Sequence, residues 1–198
     1  MRQPVKTRRL AVLLAVLPLL AGPLAAQDAG APPVVTLRLA ADAERLVAGR
    51  PFRLAVVATI APGWKVNSNT PLEDYLIPTE VAVAPAEGLV LGKPVYPPHK
   101  EKKLPFSDRP LALYDGETVV VFEGSADAAA SPGPRTLRAT LDFQPCNETQ
   151  CLAPDQAEAT LAIELAPAGT PVVAANAALF PLAGDRSAEG AASAAGVP

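Results

Sequence analysis

The segment Leu137–Leu165, LRATLDFQPCNETQCLAPDQAEATLAIEL, contains two alternating apolar patterns separated by a short polar stretch. Apolar side chains recur at every second position, first at Leu137, Ala139, Leu141 and Phe143, then at Ala159, Leu161, Ile163 and Leu165. A period of two is typical of a β-strand with one buried face. The segment therefore predicts two strands, with Cys146 at the end of the first strand and Cys151 in the turn that leads to the second.

The same period recurs upstream, between turns rich in glycine and proline. It predicts further strands around residues 35–39, 52–60, 81–83, 89–91 and 119–122. The chain has 23 prolines, which disfavour long helices. About seven to nine short strands with regular turns indicate an all-β protein, an immunoglobulin-like antiparallel β-sandwich. The cysteines are too close in sequence to form the inter-sheet bridge of antibody domains.

The two ends of the chain differ in composition from its middle. Basic residues precede the apolar run Leu10–Leu20, which is too short to span a bilayer, and small residues follow it. Residues 1–26 are predicted to be a removable secretory signal peptide, and residues 27–33 a short tether. The folded domain is predicted over residues 34–165, and a flexible tail rich in Ala, Pro and Gly over residues 166–198, within which the apolar residues 179–182 are a candidate for local docking.

The predicted export determines how the two cysteines are interpreted. Disulfides persist in oxidising compartments, so Cys146 and Cys151, the only cysteines of the chain, are expected to be bonded. Closing so short a ring removes little chain entropy and stabilises the fold by about 2 kcal/mol. A short loop between two strands is also accessible to a partner thiolate. The spacing alone favours neither a structural staple nor a redox pair.

Other chemistries lack the residues that they require. Two cysteines and one histidine are too few for a zinc site, and the single methionine is the first residue, so no metal site and no cofactor are predicted. The chain also has no nucleophile motif and no glycine-rich phosphate loop. A formal net charge of -3 without long charge runs predicts no nucleic-acid partner and no anionic membrane surface.

Three stretches of the sequence are similar to one known family. Residues 143–154, FQPCNETQCLAP, resemble the cysteine motif of the N-terminal periplasmic domain of the thiol:disulfide interchange protein DsbD. Residues 62–69, PGWKVNSN, are similar to that domain's PGW-type strand, and the following TPLEDYLIPT resembles stand-alone members. Residues 96–117, YPPHKEKKLPFSDRPLALYDGE, resemble the segment between these motifs. The resemblance covers about residues 34–165.

The resemblance implies an immunoglobulin-like fold and a redox-active Cys146/Cys151 pair. Such a pair accepts electrons from a membrane-embedded thiol reductant and passes them to periplasmic thioredoxin-like or other disulfide-bearing proteins. If the pair cycles, the activity is that of a thiol:disulfide oxidoreductase of the protein-disulfide reductase type. The implied location is the periplasm, with no membrane insertion after signal cleavage. The 198 residues contain no stretch that resembles the transmembrane or thioredoxin-like domain of a full-length interchange protein, so the electrons are expected to come from a separate polypeptide.

Two aromatic residues are candidates for supporting roles. The family covers its cysteines with a loop that bears an aromatic residue, and Phe106 is the candidate for this cap, with an ordinary core position as the alternative. Trp64 is a candidate for packing beneath the cysteine loop, although a lone Trp in a sandwich is usually a core residue. The rival function is a non-catalytic binding module, in which the disulfide only stiffens a recognition loop.

Overall fold

The computed structural model describes residues 32–84 and 86–180, and this part of the chain is built of β-strands with a single 3-10 turn at Ala177–Leu179. None of its helical turns has the length or apolar character of a membrane span. The strands are β1 Val35–Ala41, β2 Leu46–Val47, β3 Pro51–Ile60, β4 Lys65–Asn67, β5 Glu80–Val83, β6 Leu89–Val95, β7 Lys100–Lys102, β8 Leu111–Tyr114, β9 Glu117–Ala126, β10 Gly133–Phe143, β11 Pro145–Cys146 and β12 Asp155–Ala166.

The first sheet has the strand order β1-β3-β9-β6 and is antiparallel throughout. Strand β3 pairs with β9 along most of its length, from Pro51 opposite Ser125 to Thr59 opposite Glu117. Alternate β3 residues such as Phe52, Leu54 and Val56 face the main core, as the period of two predicts. Ala55 and Val57 on the opposite face are buried as well.

The second sheet has the order β2-β12-β10-β5. The long hairpin of β10 and β12 pairs Gly133 with Leu165 at one end and Phe143 with Asp155 at the other. The two strands predicted from the opening segment are therefore confirmed as antiparallel neighbours. One pairing differs from the antiparallel expectation, because the short strand β2 lies parallel to the end of β12.

The main core lies between these two sheets and takes its apolar side chains from both. Its members include Leu39, Leu54, Val56 and Phe122 from the first sheet and Leu137, Leu141, Phe143 and Leu165 from the second. Burial of these side chains is the principal stabilising contribution, at about 1.5–3 kcal/mol for each large apolar residue. The predicted all-β, immunoglobulin-like sandwich is confirmed.

A third, smaller sheet has the order β11-β4-β8-β7 and was not predicted as a sheet. Its strands are two to four residues long. One face contributes Val66 and Tyr114 to the main core. The other face carries Leu111, Leu113 and Cys146, which form a second cluster with Leu104. We call this the site sheet, because it holds one of the two cysteines.

Residues 166–180 differ from the flexible tail expected there. After β12 ends, the chain returns along the first sheet, where Phe180 packs against Ala55 and Val57 on the side away from the main core. Asn176 also donates a hydrogen bond to the Ala41 carbonyl (2.9 Å). The folded part thus extends to Phe180, because the Phe180 ring packs on the apolar outer face of β3. The rest of the predicted tail, the predicted signal peptide and most of the tether lie outside the described residues.

Candidate functional site

Cys146 and Cys151 form a disulfide across a narrow antiparallel bridge that follows β11. The two Cα atoms are 3.9 Å apart. Backbone hydrogen bonds flank the pair on both sides, from Asn147 N to Gln150 O (2.9 Å) and from Leu152 N to Pro145 O (2.8 Å). The cysteines therefore occupy a non-hydrogen-bonded position, where opposite side chains in an antiparallel pair approach most closely.

The two sulfur-bearing residues differ in their access to solvent. Cys146 is completely buried, whereas Cys151 is partly exposed and lines a surface groove. A thiolate from another protein can thus reach the bond from the Cys151 side. Attack there would leave Cys146 as the departing sulfur.

The second cluster supports the buried cysteine. Leu104, Leu111 and Leu113 are each at most 2% exposed, and Leu76 with Cys151 packs at the margin of the cluster. These residues come from β8 and from two loops, residues 68–79 and 103–110. Cys146 is therefore held against an apolar surface of its own, separate from the main core.

The loop between the cysteines has its own hydrogen bonds. The Asn147 side-chain Oδ1 accepts hydrogen bonds from Thr149 N (2.8 Å), Thr149 Oγ1 (2.9 Å) and Gln150 N (2.9 Å). An Asn that bonds the backbone two residues on is a recognised turn former. Since these bonds do not involve sulfur, the loop has a source of order that is independent of the disulfide.

One ion pair joins the site sheet to the cysteine loop. The Lys65 Nζ atom lies 2.7 Å from Oε1 of Glu148. The Lys65 side chain is only 7% exposed, whereas that of Glu148 is 59% exposed. The hydrogen bond from the Lys65 ammonium holds the pKa of the Glu148 carboxyl below its ordinary value.

A groove of about 580 Å³ opens beside Cys151. Its lining comes from loop 68–79, loop 103–110 and the cysteine region, and includes Tyr75, Leu76, Phe106 and Gln144. Tyr75 is 75% exposed and Phe106 is 45% exposed. Aromatic rings that are open to solvent beside the disulfide form a surface of the kind at which proteins bind partners.

Polar contacts hold the two loops that border the groove. Arg109 Nη1 donates to Oε1 of Glu73 (2.8 Å) and so joins loop 103–110 to loop 68–79. At the base of loop 68–79, Asn67 Nδ2 donates to the Ile77 carbonyl (2.9 Å), and Thr79 Oγ1 donates to the Asn67 carbonyl (2.5 Å). These contacts hold both bordering loops in place, so the fold itself defines the shape of the groove.

The two predicted supporting residues lie in different places. Phe106 is exposed and shares the groove with Cys151, so it does not occupy a core position. Trp64 is half-buried and packs against the main core, rather than in the cluster around Cys146. It immediately precedes Lys65, which pairs with Cys146 in the site sheet. Within the described residues no group of three potential metal ligands comes together.

Several site residues were not identified from the sequence. Lys65 and Asn67 lie within the PGWKVNSN motif, but β4 has only three residues, which is too short for a sequence pattern to show that both side chains are buried. The pairing of Glu73 with Arg109 joins positions far apart in the chain. The one available signal was Asn147, because Asn in a short polar turn predicts side-chain bonding to the backbone.

One family model matches the greater part of the chain. The family model of the N-terminal region of the thiol:disulfide interchange protein DsbD matches residues 36–163. No curated protein matches the chain.

Solved structures that are similar to parts of the chain include the following three. The reduced DsbD N-terminal domain of Neisseria meningitidis is 22% identical, with a TM-score of 0.40 and coverage of 65% of this chain and 85% of that chain. A complex between the DsbD N-terminal and PilB N-terminal domains of the same organism is 21% identical, with a TM-score of 0.40 and coverage of 69% of this chain and 88% of that chain. The N-terminal periplasmic domain of ScsB from Proteus mirabilis is 16% identical, with a TM-score of 0.42 and coverage of 68% of this chain and 49% of that chain.

Proposed function

We propose, for a chain that belongs to the family of the DsbD N-terminal domain, that the Cys146/Cys151 pair relays reducing equivalents by thiol–disulfide exchange. One observation carries the proposal: the disulfide joins a completely buried Cys146 to a Cys151 that is open to a groove. Exchange needs an accessible sulfur to accept the attack and a second sulfur to leave. The unequal exposure of the two cysteines supports a separate role for each.

The first half of the cycle reduces this protein. A thiolate of the electron donor attacks Cys151 Sγ, a new S–S bond forms to the donor, and the Cys146–Cys151 bond breaks. The electron pair of the broken bond stays on Cys146 as a thiolate. The donor's second thiolate then attacks the donor sulfur that is bonded to Cys151. This releases Cys151 as a thiolate and leaves the donor with an internal disulfide.

The second half of the cycle reduces a client. The Cys151 thiolate attacks the client disulfide, forms a mixed disulfide and releases one client thiolate. The Cys146 thiolate then attacks Cys151 Sγ, which restores the internal disulfide and releases the second client thiol. In both halves Cys151 bonds to the partner, and Cys146 is the resolving residue.

The groove is the docking site in this proposal, and Phe106 is the cap. The partner is a membrane-embedded thiol reductant in one half of the cycle and a thioredoxin-like or other disulfide-bearing protein in the other. Phe106 shields the reduced pair until a partner displaces loop 103–110. Its exposure beside Cys151 supports this role.

The compartment proposed for this chemistry is the periplasm. Residues 1–26 would direct export as a removable signal peptide, and residues 27–33 would tether the domain. An oxidising compartment supports a disulfide as the resting state. A relay that keeps client thiols reduced has a purpose there, because those thiols otherwise become oxidised.

Trapping of a mixed disulfide tests the assignment. Cys146→Ser keeps the accessible sulfur, so this variant should bond rapidly to an oxidised thioredoxin-like protein and retain it. Cys151→Ser keeps only the buried sulfur and is the matched control, which should react far more slowly. Non-reducing electrophoresis and mass spectrometry identify the adducts.

The opposite result supports the binding-module alternative. If neither variant forms an adduct until denaturant is added, the disulfide is a staple that stiffens the loop. If Cys151→Ser traps the partner and Cys146→Ser does not, the roles of the two cysteines are reversed.

A further inference from the structure

Lys65 is the only charged residue that is buried among residues 32–84 and 86–180. Lysine is almost never buried without a partner, because its ammonium loses hydration. Here the partner is Glu148, at 2.7 Å, in the loop between the cysteines. The chain thus keeps a cation inside the site sheet and anchors it to the redox loop.

The strand register places this cation beside one particular cysteine. In the pairing of β11 with β4, Cys146 lies directly opposite Lys65. Directly opposite residues of an antiparallel pair project from the same face, with Cβ atoms about 4.5–5.5 Å apart. Both side chains are buried on that face, whereas the next residue, Val66, faces the main core.

We propose that Lys65 supplies the counter-charge for the Cys146 thiolate that forms when Cys151 is attacked, and that Glu148 moderates this effect. The inference rests on the exchange function proposed above and adds a residue to that site. A thiolate released into an apolar cluster has a high free energy, because burial disfavours the charged form. A cation opposite Cys146 offsets that cost where solvent cannot.

Lys65 therefore makes Cys146 a better leaving group. A leaving thiol with a lower pKa departs faster in disulfide exchange, and an opposite charge within about 4–6 Å lowers the pKa of a neighbouring acid. No sulfur bond is made to Lys65, and its proton stays on nitrogen during the attack. Its role is electrostatic and requires only the charge.

Glu148 has the opposite influence, because its carboxylate shares the Lys65 ammonium. The Glu148 side chain is 59% exposed, so solvent can take over its charge when the thiolate forms. Other charged groups also lie near the site: Asp108 lines the groove, and Lys102 also favours the charged form of Glu148. Asp115 bonds to Lys100 and Lys102 on β7, and in the groove Glu73 bonds to Arg109.

Two substitutions with opposite predicted effects provide the test. In the Cys151→Ser background Cys146 is the only thiol of the chain, and its pKa can be read from thiolate ultraviolet absorbance against pH. Lys65→Met should raise the pKa of Cys146 by about one pH unit or more. Glu148→Gln should lower this pKa, and Lys65→Arg should keep it close to that of the Cys151→Ser parent.

The kinetic consequence is measured with both cysteines present. Reduction of the disulfide by dithiothreitol at fixed pH should slow by about threefold or more in Lys65→Met, and Lys65→Arg should restore the rate. Circular dichroism and the urea midpoint report whether each variant is folded. A purely structural Lys65 would change those signals and leave the Cys146 titration in place.

Two outcomes would overturn the inference. An unchanged pKa of Cys146 in folded Lys65→Met would show that the cation does not act on this sulfur. Failure of Lys65→Arg to preserve the pKa would show that charge is not the property that matters. Neither result contradicts the proposed exchange function. That function would be contradicted if the wild-type disulfide exchanged with no partner thiol.

Discussion

The main core and the second cluster are both apolar, but they are built in different ways. The main core lies between sheets whose longest strands have 10 to 12 residues, whereas the second cluster lies under strands of two to four residues and two loops. Backbone pairing along long strands fixes the first region. Side-chain contacts and individual hydrogen bonds fix the second, which also contains Cys146.

This difference places most of the stability in the main core and the disulfide in the second cluster. A region closed by many strand pairs opens only when the whole domain unfolds, whereas a region closed by loops can open locally. A cysteine that must leave and re-form a bond is better placed in the second kind of region. Substitutions in the two regions should therefore differ in whether they change stability or reactivity.

Leu137→Ala should give the largest loss of stability. Leu137 is 1% exposed in the main core, and truncation of a buried leucine costs about 2–5 kcal/mol in the free energy of unfolding. Urea unfolding measures this loss. The reduction potential of the Cys146/Cys151 pair should not change, and a clear change in it would show that the two regions are coupled.

Removal of the disulfide should have a smaller effect. The double variant Cys146→Ser, Cys151→Ser should lose about 2 kcal/mol, because the ring is short. The Asn147 hydrogen bonds should continue to hold the loop. A loss well above this value in urea unfolding, or a domain that no longer folds, would favour the structural staple.

Phe106→Ala should change reactivity far more than stability. Since Phe106 is 45% exposed, the free energy of unfolding should change by less than about 0.5 kcal/mol. Reaction of the reduced pair with a small thiol reagent should become several-fold faster, because the approach to Cys151 is uncovered. Tyr75→Ala changes another exposed ring of the groove and serves as the comparison.

Acid should produce the smallest effect. Ion pairs with Lys65 and Lys100 hold the pKa values of Glu148 and Asp115 below their ordinary values near 4.5 and 3.8. Each pair therefore stabilises the fold fully above the ordinary pKa, and this contribution is lost as the pH falls through the lowered value.

A comparison of urea midpoints at about pH 6 and about pH 3 measures this loss. Glu148→Gln lacks one of the two pairs, so its midpoint should fall less on acidification than that of the wild type. An equal fall in both proteins would contradict a contribution from the Lys65–Glu148 pair.

The fold was predictable because its long strands repeat one simple pattern. The alternation at residues 52–60 and 137–143 is long enough to identify two strands, and the structure confirms both strands. Strand β10 buries one face as predicted, whereas β3 is also buried on its opposite face at Ala55 and Val57. The site sheet was not predictable in this way, because strands such as β11 contain only two residues. Its existence depends on contacts between segments far apart in the chain.

The candidate site was predictable in part for the same reason. The pairing of Cys146 with Cys151 followed from the cysteine count and the expected compartment. Their unequal burial did not follow, because it depends on Leu104 and Leu113, which no local pattern connects to the cysteine loop. The Lys65–Glu148 contact also joins residues distant in sequence, so only the fold shows it.

The most direct test of the central claim is an equilibrium redox titration of the purified protein. Glutathione and dithiothreitol buffers set the potential, and alkylation with mass spectrometry reports the state of Cys146 and Cys151. We expect a reduction potential above about -300 mV and complete reaction in the native state, as for exchange-active disulfides. A potential far below that value, or a pair that reacts only after denaturation, would contradict the account and make the disulfide a staple.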